Sequence, residues 1–86
     1  MPKGKVDLDP SQFQTFGDLL RHLRERSRLS QRDLAQKVGY HHSYLSRLEK
    51  NMRAPDEQVM RARFIPALRI ENEPALVQRL FELAAF

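Results

Sequence analysis

Ser30-Gln31-Arg32-Asp33-Leu34-Ala35-Gln36-Lys37-Val38-Gly39-Tyr40-His41-His42-Ser43-Tyr44-Leu45-Ser46-Arg47-Leu48-Glu49 is the stretch that decides the fold of this 86-residue chain. Ser30 is a good helix N-cap, and Asp33 stands three residues on, in the capping-box position. Leu34, Ala35 and Val38 fall on one helical face. Gly39 then sits where a helix ends in the left-handed region, which costs a side chain about 1 kcal/mol. A second helix is expected from about His42 to Lys50, with Leu45 and Leu48 turned inward. Ala35 is small where the two helices must approach closely. The segment therefore reads as two short helices joined by a tight turn, with polar and cationic side chains on the second.

Working outward, Thr15 and Asp18 mark an earlier helix start, a hydroxyl cap followed by an acid in the positive first turn. Phe16, Leu19, Leu20 and Leu23 follow at i, i+3, i+4 and i+7, so this helix runs to about Ser27 with one apolar face. Beyond the motif, Asn51 suits a left-handed helix end. Asp56 caps a fourth helix whose core face is Val59, Met60 and Phe64, and Pro66 is expected to kink or stop it after about Phe64. Asn72 or Glu73 precedes Pro74, a favourable first helical residue, and opens a fifth helix. Residues 1–14 show no sustained period and read as a flexible arm, on which Lys3 and Lys5 could add phosphate contacts. The expected organisation is an arm (1–14), a helical domain (15–70, motif 30–49) and a C-terminal helix (71–86).

Leu76, Val77, Leu80, Phe81, Leu83 and Ala84 cover an unusually wide arc of that last helix. Two readings stay open. One side seals the bundle, or the surplus face, represented by Leu76, Leu80, Phe81 and Leu83, meets a second copy or further domains of a longer chain.

The net charge is +4, and its distribution is uneven. Residues 21–53 hold Arg21, Arg24, Arg26, Arg28, Arg32, Lys37, Arg47, Lys50 and Arg53 against only Glu25, Asp33 and Glu49. Acids outnumber bases after residue 53. The basic surplus surrounds the two-helix motif, where a polyanion would dock. With no cysteine, no disulfide or thiolate metal site is available. No apolar run approaches the roughly 18 residues of a membrane span, and no secretory signal opens the chain. A soluble, cytoplasmic, nucleoid-associated protein is expected. His41 and His42 point about 100° apart on a helix with no third ligand beyond His22, so no metal and no cofactor is expected. A nucleophile–base set, a glycine-rich phosphate loop and a paired-carboxylate cleft are all missing, which argues against an enzyme.

The stretch from about Phe16 to Leu68 resembles the Cro/repressor-type (XRE family) helix-turn-helix domain. Leu29-Ser30-Gln31, Leu34-Ala35, Val38-Gly39, Tyr44-Leu45-Ser46-Arg47-Leu48-Glu49 and Pro55 carry the resemblance with unbroken spacing. It implies an all-α, compact bundle of four to five helices of the phage-repressor DNA-binding type, with the third helix in the major groove of double-stranded DNA. It also implies that His42, Ser43 and Arg47 face base edges, and that Gln31 grips a phosphate while bracing the reading side chains. Tyr44 and Ser46, flanking them, suit backbone contacts. Arg24 and Glu49 match a family ion pair between the first and third helices. His41 departs from the usual Ser or Thr cap, Arg28 from a common Gly and Tyr40 from a smaller residue in the turn.

The residues argue in the same direction without the resemblance. Arg47 can make a bidentate contact to guanine O6 and N7, worth about 1–3 kcal/mol of discrimination. Arg32, Lys50 and Arg53 are placed to clamp phosphates and set register. The expected function is sequence-specific DNA binding by a transcriptional regulator or its DNA-binding module. Two alternatives stand beside it: a protein-interaction module that keeps this fold, and a small autoregulatory controller or antitoxin-type repressor.

Overall fold

The computed structural model describes residues 9–85, and all regular structure in them is helical. Five helices form the bundle: α1 (Phe16–Arg26), α2 (Gln31–Val38), α3 (His42–Glu49), α4 (57–68) and α5 (Pro74–Ala84). Lys3, Lys5 and the rest of residues 1–8 lie outside the described residues, as does Phe86.

The local signals around the motif operate as their chemistry requires. Thr15 Oγ1 accepts the N–H of Asp18 at 3.2 Å. Ser30 Oγ accepts the N–H of Asp33 at 3.0 Å, and the Asp33 carboxylate accepts the N–H of Ser30 at 3.1 Å, so the capping box is complete. Gly39 ends α2 at φ 82°. Arg28 takes the left-handed region at φ 60°, where its N–H donates to Glu25 and that of Leu29 to Arg24, closing α1. Arg28, standing where the family commonly has a Gly, thus takes the left-handed conformation that a tight helix end requires.

Pro66 departs from expectation. It does not end the fourth helix, which is built of Glu57–Val59, a wide π turn over Met60–Phe64, and Ile65–Leu68. Within the π turn the N–H of Ile65 reaches back five residues to the Met60 carbonyl. The widened turn places Pro66 in the first turn of the final segment, where the helix tolerates it. The helix stops instead at Arg69, in the left-handed region at φ 59°.

Phe16, Leu19, Leu20 and Leu23 from α1 meet Leu34, Ala35 and Val38 from α2 and Leu45 and Leu48 from α3 in one core, closed by Met60, Phe64, Leu68 and Ile70. Leu76 and Leu80 of α5 are buried in that same core, at 3% and 0% exposure. Two of the four residues offered as a partner surface therefore belong to the interior, and only Phe81 and Leu83 remain half-buried. The Arg61 guanidinium covers the Phe81 ring at 4.4 Å.

Part of the expected arm is ordered structure. Pro10–Gln12 forms a 3-10 turn capped by Asp9. Arg79 of α5 donates from Nη2 to the Phe13 carbonyl at 2.7 Å, while its Nε is buried without a partner among the described residues. A second long-range clamp joins Arg26 of α1 to Glu73, through two hydrogen bonds of 3.1 and 2.6 Å.

Candidate nucleic-acid interface

Three devices fix α3 relative to the rest of the bundle. At its start the His41 imidazole stands as N-cap, its Nδ1 accepting the N–H of Ser43 at 3.2 Å. At its end Asn51 turns left-handed at φ 62° and its Oδ1 accepts the N–H of Gly17 at 2.8 Å. Gly17 has no side chain because the α3 backbone occupies the space, and a Cβ there would lie 2.2 Å from the Glu49 carbonyl oxygen. In the middle Glu49, buried on α3, accepts from Arg24 Nε at 2.6 Å and Arg24 Nη2 at 3.1 Å.

The same carboxylate accepts from Gln31 Nε2 at 3.0 Å, and Arg24 Nη1 donates to the Leu29 carbonyl at 2.8 Å. Pairing with Glu49, by hydrogen bond and by charge, raises the Arg24 pKa above its usual value against the opposing effect of burial. One buried carboxylate thus ties α1, α2 and α3 together, and removing either partner would strand a desolvated charge. The structure joins Gln31 to this network and so holds it rigidly on the face it shares with α3.

His42 and Ser43 are half-buried at the start of α3, and Arg47 is exposed one turn on, as are Arg32, Lys50 and Arg53 nearby. Tyr44 and Ser46 are half-buried between them. The imidazole of His42 packs at 4.4 Å from that of His41. Partial desolvation, then the charges of Arg32 and His41, hold its pKa below the usual imidazole range.

Tyr40, the residue that departs from the family pattern in the turn, has a ring partner on α3. It stacks on Tyr44 at 4.4 Å, and the Arg53 guanidinium lies 5.3 Å from the other ring's centroid. Burial, and then Tyr40, raise the Tyr44 pKa, so its hydroxyl keeps its proton and can donate. The i, i+4 spacing of the two tyrosines is a signal that could have found this stack. Two further contacts had no such signal: Asn51 to Gly17, and Arg63 Nη1 donating to the Val38 carbonyl at 3.1 Å at the end of α2.

The acids near this face are paired or engaged as caps, Asp56 among them through the N–H of Val59 at 3.0 Å. Glu49 is buried and paired, Asp33 folds back onto its cap, and Glu25 stands 3.9 Å from Arg21. Among the described residues, no ion pair engages Arg32, Arg47, Lys50 or Arg53. No group of His, Asp and Glu among them is arranged to hold a metal ion, and no helix is long and apolar enough to cross a membrane.

Two helices meeting across Gly39, the second fixed at both ends with its outer face open, match a known family profile. The profile of the helix-turn-helix domain aligns with residues 15–64, more than half of the chain. The chain belongs to the helix-turn-helix domain family. Its XRE-like character agrees with the resemblance carried by the motif residues. Among solved structures, a tyrosine-to-phenylalanine mutant of the restriction-modification controller protein C.Esp1396I aligns with a TM-score of 0.63 and 17% identity. The alignment covers 83% of this chain and 92% of that one. At this identity the likeness establishes the fold of the helix-turn-helix domain. Comparison with curated proteins gave no match.

Proposed function

We propose that the protein is a sequence-specific double-stranded DNA-binding regulator whose α3 reads the major groove. The observation that carries this reading is the electrostatic sorting of the motif. Every acid of residues 21–53 is paired, capped or buried, while Arg32, Arg47, Lys50 and Arg53 project from the face around α3. A polyanion meets cations there, and the exposed Asp33 and Asp56 carboxylates are engaged as helix caps.

In this reading Arg47, His42 and Ser43 contact base edges, and Tyr44, Ser46, Arg32, Lys50 and Arg53 contact the backbone. Gln31 helps from its anchored position, where Glu49 occupies one of its two amide hydrogens and leaves the other for a phosphate. Two copies on one face of the duplex would place their α3 helices at half-sites about 34–36 Å apart. The remaining self-association surface is the half-buried edge at Leu83 and Ala84, beside Met52 and Pro55. The rival reading, an interaction module working through α5, is weakened because Leu76 and Leu80 are committed to the core.

The test is a selection of bound duplexes from a random pool, followed by titration of the winner at two salt concentrations. Binding should be selective and should weaken steeply with salt. Absent binding, or binding insensitive to salt, would overturn the proposal.

A further inference from the structure

Two tight helix ends bring the chain back to one aromatic ring. Before α3, the N–H groups of Gly39 and Tyr40 both donate to the Ala35 carbonyl, at 2.8 and 2.9 Å, so the end of α2 fixes the backbone that carries Tyr40. After α3, the N–H of Asn51 donates to the Leu48 carbonyl at 3.1 Å and that of Met52 to the Arg47 carbonyl at 2.8 Å. This second closed end sets where the chain leaves toward Arg53. Tyr44 lies on α3 between the two. The Tyr40 ring stacks on it at 4.4 Å with 26° between the planes, and the Arg53 guanidinium stands over it at 5.3 Å from the centroid. The Tyr44 ring thus joins the turn that enters α3 to the loop that leaves it.

An arginine on an exposed loop ordinarily samples many rotamers, and binding a phosphate then costs it that freedom. Arg53 is exposed, yet its guanidinium is held within the distance at which a ring attracts a cation. Among the described residues no ion pair draws it elsewhere. The Asp56 charge also reaches Tyr44, but its carboxylate accepts the N–H of Val59 as the cap of α4. The Tyr44 ring serves Arg53 only while it keeps one orientation, and Tyr44 is half-buried. The stacked Tyr40 ring supplies that constraint.

We infer that Tyr40 is a positioning residue for DNA binding: its ring holds the Tyr44 ring, which holds the Arg53 guanidinium ready for a backbone phosphate. The inference rests on the proposed reading of Arg53 as a phosphate contact. Tyr40 acts without touching DNA itself, by reducing the freedom that Arg53 loses on binding. A flat ring is required at position 40, and a hydroxyl is not.

The experiment titrates the full chain against its selected duplex and a random one across salt concentrations, using wild type, Tyr40→Phe, Tyr40→Leu, Tyr44→Leu and the double Leu variant. Leu at position 40 keeps an apolar side chain against the core and removes the flat face. It should weaken both duplexes alike by about twofold to fivefold, the scale of an exposed cation–π contact. The salt slope should stay the same, because Arg53 still reaches its phosphate. Tyr40→Phe should bind as wild type, and a loss equal to that of Tyr40→Leu would mean a hydroxyl contact and overturn the inference. With Tyr44→Leu already present the link is cut, so Tyr40→Leu should add nothing; a further loss overturns the inference. 15N relaxation at Arg53 Nε in the free protein gives an independent readout that a merely structural role would not move. The group should be ordered in wild type and Tyr40→Phe and mobile in Tyr40→Leu, with the α3 backbone amides unchanged. Equal mobility in all three overturns the inference whatever the DNA shows. Wild-type protein that binds no duplex selectively overturns the proposed function, and this inference with it; selective wild-type binding that Tyr40→Leu leaves untouched overturns this inference alone.

Discussion

Gly17→Ala sets two physical arguments against each other. Helix propensity alone favours the change by about 1 kcal/mol, because alanine is the better residue inside α1. The packing says the opposite. The new Cβ would lie 2.2 Å from the Glu49 carbonyl oxygen, 2.6 Å from its carbon and 2.9 Å from the Leu48 carbonyl oxygen. These are backbone atoms and cannot rotate aside. Restoring ordinary contact means moving α1 away from the end of α3 by about 1.2 Å. Overpacking of this kind costs about 1–3 kcal/mol. The shift also stretches the bond from the Gly17 N–H to Asn51 Oδ1 beyond reach, at about 1 kcal/mol more. The net loss should be about 2 kcal/mol, which lowers the melting temperature of a domain this size by roughly 8–16 °C. Thermal and urea unfolding followed by circular dichroism measure it. A midpoint equal to or above that of the wild type would refute the reasoning. Asn51→Gly separates the two components: it keeps the left-handed turn at φ 62° and loses only the hydrogen bond, so it should cost about 1 kcal/mol.

Arg47→Ala should relax preference at one base position by about 1–3 kcal/mol and leave binding to random DNA nearly unchanged; equal weakening on both would show a phosphate contact only. Arg53→Ala should weaken specific and random DNA alike and reduce the salt slope by about 1, as titration across salt concentrations would record. The Asp33 carboxylate is held below its ordinary value of 3.8, first by the backbone N–H of Ser30 and then by its side chain. A lowered folded-state pKa means that this stabilisation is full above that value and disappears as pH falls through the lower one. Urea midpoints measured through the acid range should therefore fall less in Asp33→Asn than in wild type. Leu80→Ala should destabilise the whole bundle by about 2–5 kcal/mol. Leu83→Ser should leave the fold intact and shift sedimentation at high concentration toward the smaller species; an unchanged profile would remove Leu83 from any self-association surface.

The parts of this fold that were legible are those written in near neighbours. Ser30 with Asp33, Gly39, Asn51 and the spacing of Leu19, Leu20 and Leu23 each express a local rule, and α1 to α3 begin and end where those rules place them. Pro66 was misleading because its usual effect assumes an α-helical turn before it. A π turn changes which hydrogen bond the missing N–H would have made. The width of the apolar arc on the last helix was visible, but not that Leu76 and Leu80 spend it inside. That depends on how α5 lies against α1, which no local pattern encodes. At the interface, residue type and spacing identified the outward positions. The arrangement of Gln31, Glu49 and Arg24 around one carboxylate, and of Tyr40, Tyr44 and Arg53 in one stack, arises from chain segments that meet only after folding.

The bond from Arg79 to the Phe13 carbonyl spans 66 positions of sequence, and this bears on how the chain is finished during synthesis. A ribosome delivers Phe13 long before Arg79. Until Arg79 is present the sites filled by Leu76 and Leu80 stay open, and the turn at Pro10–Gln12 has nothing to rest against. The two ends of the described chain thus settle last and together. In the finished protein they should also open together, so that backbone amides in residues 11–13 and in α5 exchange with solvent as one unit while those of α2 and α3 stay protected. The proposed DNA-reading face would then stay intact while the two ends open.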